Sequence, residues 1–67
     1  MLPATPLPED LRRAAFAALI AAQDGGVSVA ASRTRVARAF GLTDDQVREV
    51  EREGIDGQWP PLAEPTE

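Results

Sequence analysis

The sequence predicts a small all-α domain built from three helices. Three segments carry apolar residues at helical spacing, and breaks that contain glycine separate them. The chain has 67 residues, which is enough for one small domain at most. We therefore assign residues 1–7 to an irregular lead-in, 8–62 to a single domain and 63–67 to a disordered tail.

The first helix is predicted to begin at Pro8, because proline suits the first helical position, where its missing N–H costs nothing. Glu9 and Asp10 follow in the first turn, where acidic side chains stabilise the helix dipole. The Asp-Gly-Gly break should end the helix, with Gly25 or Gly26 in the left-handed conformation. One helical stripe of apolar residues runs between these ends: Leu11, Ala14, Ala15, Ala18, Leu19 and Ala22.

The second helix is expected to run from about residue 32 to 40. Ser32 is the predicted N-cap, and Ser28 is a competing cap that would start the helix at residue 29. Gly41 should close the helix as its left-handed residue. Val36 should face inward, and the arginines of this segment should point outward.

The third helix has the most complete set of boundary residues. Thr43 is the predicted N-cap, and Gln46, three residues later, completes a capping box. Val47 and Val50 should face the core, and Gly54 is expected to end the helix.

The C-terminal segment contains two adjacent prolines and is predicted to be extended. Ile55 should fold back onto Val50, as a Schellman cap would arrange it. Trp59 and Leu62 should lie across the open side of the helices, because burying a large aromatic is worth about 2–3 kcal/mol.

Composition excludes several classes of site. The chain has no cysteine and no histidine, so disulfides, thiolate or imidazole metal ligands and a Cys/His nucleophile pair are excluded. No apolar run approaches the ~20 residues of a membrane span. The stretch RRAAFAALIAAQ imitates a signal peptide, but the acids before it do not suit one. We expect a cytoplasmic protein with no cofactor and no membrane partner.

Catalysis is not expected, so the chain is predicted not to be an enzyme. It has no glycine loop suited to phosphate and no nucleophile beside a base. The adjacent Asp44 and Asp45 could suggest a metal site, but acids are common in the first turn of a helix and no third ligand is in view. We therefore predict no metal site.

The second and third predicted helices have helix-turn-helix spacing, since a turn of about three residues containing Gly41 joins them. The stretch VARAFGLTDDQVREVEREGI within residues 32–55 resembles the helix-turn-helix of region four of bacterial sigma factors, which reads the −35 promoter element. The shared residues are Val36, Ala37, Gly41, Leu42, Thr43, Val47, Arg48, Glu49, Val50 and Glu51.

The resemblance implies a small transcription-related protein that binds double-stranded DNA with its third helix in the major groove. Arg48 would then match a base-contacting position, and Asp44, four residues before it, is placed to form an ion pair with it. The family usually has basic or amide side chains where this chain has Asp44 and Glu49. The predicted DNA-binding residues are Arg48, Asp44, Asp45, Glu49, Arg52, Arg33, Arg35 and Arg38.

The charge pattern supports an alternative function. The net charge is −4, and acids near phosphate oppose the counterion release that supplies most DNA affinity. The second helix is basic and the third is acidic, which suits docking to a protein of complementary charge or formation of a homodimer. The alternative is therefore an acidic protein–protein interaction module, or adaptor, with the same fold and no DNA binding.

Overall fold

Three helices that pack against one another make up the fold, as the sequence predicted. The computed structural model describes residues 7–60 and contains α1 (Glu9–Asp24), α2 (Val29–Phe40) and α3 (Asp44–Gly57). Each helix contacts both of the others, and no strand occurs within these residues. The expectations for residues 1–6, for Leu62 and for the 63–67 tail lie outside the described residues.

The core is a single apolar cluster to which all three helices contribute. Phe16 and Leu19 from α1 and Val47 and Val50 from α3 are its largest fully buried apolar side chains. The burial of Leu19 and of both valines confirms these predicted core positions, whereas Ala14 of the predicted first-helix stripe is exposed. The whole cluster comprises Ala15, Phe16, Leu19, Val36, Val47, Val50 and Trp59.

Helix α1 differs slightly from its predicted boundaries. Pro8 lies one position before the first helical residue, and its carbonyl accepts the N–H of Arg12 at 3.0 Å. At the other end Gly26 has the left-handed conformation, with φ of 96°, whereas Gly25 does not. Gly26, and not Gly25, is therefore the left-handed residue after α1.

Helix α2 begins one turn earlier than its predicted start at Ser32. Ser28 is the N-cap, and its hydroxyl accepts the N–H of Ala31 at 3.2 Å, so the competing cap is the correct one. Ser32 is wholly buried instead. Its hydroxyl donates to the Val29 carbonyl at 2.7 Å and accepts from the Gln23 amide at 3.1 Å. These two bonds satisfy the hydroxyl inside the core.

The corner between α2 and α3 forms as the sequence predicted. Gly41 is left-handed, with φ of 67°, and the next N–H, that of Leu42, returns to the Ala37 carbonyl at 2.8 Å. Thr43 then caps α3: its hydroxyl accepts the Gln46 N–H at 3.1 Å, and its own N–H donates to the Gln46 side chain at 2.8 Å. The capping box is confirmed.

Helix α3 extends past the predicted end at Gly54 and finishes at Gly57. Gly54 is buried because the Phe16 ring lies directly on its backbone. The left-handed residue is Gln58, with φ of 52°, and the N–H of Trp59 bonds to the Gly54 carbonyl at 2.9 Å. The Schellman geometry predicted for Gly54 therefore occurs four residues later.

The extended helix changes the positions of the residues after Gly54. Ile55 stays helical and is 52% exposed, so the predicted contact of a folded-back Ile55 with Val50 is wrong. Trp59 is buried, as predicted, and meets Phe16 edge-on with ring centroids 6.0 Å apart. The guanidinium of Arg13 lies over the Trp59 ring, 4.7 Å from its centroid. Such an aromatic pair contributes about 0.5–1.5 kcal/mol beyond its buried area.

Candidate nucleic-acid interface

The exposed face of α3 brings together five of the predicted DNA-binding residues. They follow the i, i+1, i+4, i+5, i+8 spacing of one helix side, opposite the buried Val47 and Val50. All of them are exposed to solvent. This surface, called the α3 face below, consists of Asp44, Asp45, Arg48, Glu49 and Arg52.

The two arginines of the α3 face are available to a ligand. Within residues 7–60, neither Arg48 nor Arg52 forms an ion pair. The predicted Asp44–Arg48 pair is therefore absent, which corrects the sequence expectation. An exposed pair of this spacing contributes only about 0.3–0.5 kcal/mol, so water competes well for both groups.

Arg33 was expected to point to solvent, but it connects two helices instead. Its Nε and one of its terminal nitrogens each lie 2.9 Å from the same Glu51 carboxylate oxygen. The Glu51 side chain is only 17% exposed. This ion pair joins α2 to α3. The Arg33 guanidinium is therefore engaged in an ion pair between helices beside the α3 face.

Arg35 and Arg38 are both exposed, but they do not cluster with Arg33. At about 100° per residue, Arg35 lies about 200° around α2 from Arg33. Arg38 lies one turn beyond Thr34, which lines a shallow hollow together with Asp44 and Arg48. Arg38 lies about 140° around α2 from Arg33 and about 60° from Arg35, so both exposed arginines lie on the outer side of α2, away from the Arg33–Glu51 ion pair.

An open groove of about 620 Å³ borders the α3 face. It contains the exposed Ile55, an apolar group that the sequence reasoning assigned to the core. Continuing the helical period of α3 past Gly54 would have placed Ile55 one turn after Glu51 and so in this groove. The groove is lined by Arg33, Arg48, Glu51, Arg52, Ile55 and Asp56.

No family model, curated protein or solved structure matches this chain. Function is therefore inferred from the geometry of the α3 face and its surroundings. Across residues 7–60, no three acidic side chains are grouped so that they could hold a metal ion. None of the helices in the same part of the chain is long and apolar enough to cross a bilayer.

Proposed function

We propose that this protein binds duplex DNA as a small helix-turn-helix domain and acts in transcription, with α3 entering the major groove. One observation carries the proposal: a left-handed glycine turn presents a helix whose outer face holds two arginines, Arg48 and Arg52, that form no ion pair within residues 7–60. The resemblance of the α2–α3 corner to sigma region four also supports DNA binding. The proposal implies a compartment that holds DNA, which in a bacterium is the cytoplasm.

The dimensions of α3 suit this function. Its 14 residues give a rod about 21 Å long, and the major groove is about 12 Å wide and admits an α-helix. Arg48 lies one turn into α3, near the helix start, where recognition helices contact base edges.

The acids of the α3 face limit the expected affinity. Asp44, Asp45 and Glu49 stand on the same surface as the two arginines, and each opposes binding to phosphate. Arg33 is paired to Glu51 and so is not free to bind a phosphate. We therefore expect a single domain to bind DNA weakly, and a second copy or a larger partner to strengthen the binding.

Fluorescence anisotropy with a labelled duplex at two salt concentrations tests the proposal. We expect affinity that falls steeply with salt, and a loss of about tenfold or more in Arg48→Ala, because one bidentate arginine–base contact is worth about 1–3 kcal/mol. The matched control is Arg35→Ala, which removes the same charge from an exposed site turned away from the α3 face.

The control separates a specific contact from a general loss of positive charge. Equal losses in Arg48→Ala and Arg35→Ala would show that α3 does not direct binding. Absence of binding to any duplex at low salt would reject a DNA-binding function.

A second candidate is a protein-interaction module, which the α2–α3 groove favours. The groove combines both signs of charge with Ile55, which is half exposed, and interface centres commonly contain such apolar groups within a polar rim. Under this function, a pull-down should recover a specific protein that is lost in Ile55→Ser. An eluate dominated by nucleic acid would argue for the first function.

A further inference from the structure

The side chains on the α3 face have a restricted base-reading chemistry. Arginine donates two hydrogen bonds to guanine, a carboxylate accepts one from the cytosine amino group, and the bidentate partner of adenine is the paired donor and acceptor of an Asn or Gln amide. Thymine is recognised through apolar contact with its methyl group. The α3 face contains only arginines and carboxylates.

The polar groups at the start of α3 that could read other bases are already engaged. Gln46 is the amide in the first turns of α3, and its oxygen accepts the Thr43 N–H at 2.8 Å. The Thr43 hydroxyl in turn accepts the Gln46 N–H at 3.1 Å. The capping box therefore holds the Gln46 amide oxygen on the Thr43 backbone, and the side chain would have to leave that contact to turn toward an adenine.

The two kinds of charge form adjacent rows on the helix surface. Asp45 and Glu49 are four residues apart, as are Arg48 and Arg52, so each pair stacks along α3 on the exposed side. Asp44 lies one turn before Arg48, at the start of the arginine row. A row of acceptors beside a row of donors matches base pairs in which cytosine amino groups on one strand lie next to guanine acceptors on the other.

Resting on the proposed DNA function, we infer that α3 selects G·C-rich duplexes, with Arg48 reading guanine and Glu49 reading cytosine. This selectivity also gives the acids of the α3 face a role. A carboxylate that weakens binding to phosphate everywhere strengthens binding where cytosine is present. Discrimination between sites is then gained at the expense of overall affinity.

Anisotropy titrations with two duplexes test the inference. The duplexes share their flanks, and their central base pairs are all G·C in one and all A·T in the other. We expect the protein to bind the G·C duplex at least about tenfold more tightly than the A·T duplex, because one bidentate contact provides about that much discrimination. Equal affinity, or a preference for A·T, overturns the inference and leaves DNA binding intact. No binding to either duplex rejects the proposed function along with it.

The variant Glu49→Gln distinguishes base reading from general electrostatics. It places an adenine-reading amide at an exposed helical position, and glutamine preserves helix propensity. We expect the preference for G·C over A·T to fall about tenfold. The control Asp24→Asn removes one exposed acid from α1 and should raise both affinities alike. If Glu49→Gln and the control have the same ratio of G·C affinity to A·T affinity, Glu49 does not read cytosine and the assignment is overturned.

Discussion

Gly54 lies within α3, where glycine ordinarily costs about 1 kcal/mol relative to alanine. A Cβ added there would stand within 2.6 Å of three carbons of the Phe16 ring. Such a distance cannot be accommodated unless the ring moves, and the ring is wholly buried. The glycine is therefore required by packing between α1 and α3, and this requirement outweighs its poor helix propensity.

We expect Gly54→Ala to lower the free energy of unfolding by about 1–3 kcal/mol, because overpacking a filled core forces neighbours to shift. Urea denaturation followed by circular dichroism measures this loss. The matched control is Gly25→Ala, whose added Cβ would meet only two backbone oxygens at 3.5 Å. An alanine at 54 that is as stable as the native residue would show that the ring can move freely.

At the scale of elements, α3 is stabilised at its start by the capping box between Thr43 and Gln46. We expect Thr43→Ala to cost about 1 kcal/mol of stability, since it leaves an N–H of the first turn without its partner. The control is Thr34→Ala, an exposed threonine within α2 whose hydroxyl bonds to the Ala30 carbonyl. This change should be close to neutral by thermal denaturation. Equal losses at the two sites would argue against the capping contribution.

The helix boundaries also show what the sequence could and could not predict. Gly41, Thr43 and Gln46 were predicted correctly because their roles involve only residues nearby in the chain. Ser32 and Gly54 were assigned to boundaries, although each belongs to a helix interior where a distant partner uses it. A local pattern cannot distinguish a serine that caps from one that is buried, nor a glycine that ends a helix from one that admits a ring.

The candidate site was predictable to a similar extent. The five residues of the α3 face follow from helical period alone, and the structure places them together. The pairing of Arg33 with Glu51 and the exposure of Ile55 depend on how α2 lies against α3 and on where α3 ends. Neither of these is encoded in a short stretch of sequence.

At the scale of the whole molecule, one core supports all three helices, and Trp59 completes it from beyond α3. We expect Trp59→Ala to cost about 3–5 kcal/mol, which approaches the total stability of a domain of this size, so that most of its helical signal is lost at room temperature. Circular dichroism at 222 nm measures this. Ile55→Ala, a large apolar residue that is half exposed, should change stability by less than about 1 kcal/mol.

A Trp59→Ala variant that kept its full helical content and its native melting temperature would contradict a single shared core. It would mean that the segment after α3 is attached to a domain that is already complete without it.

The contact between the Phe16 ring and the bare backbone of Gly54 also fixes the angular setting of α3. Only the side of the helix without a Cβ can approach the ring so closely, because any rotation of α3 about its axis would bring a bulkier neighbour into that space. The direction in which Arg48 and Glu49 point outward thus depends partly on a flat aromatic surface on the far side of the same helix, together with the buried Val47 and Val50.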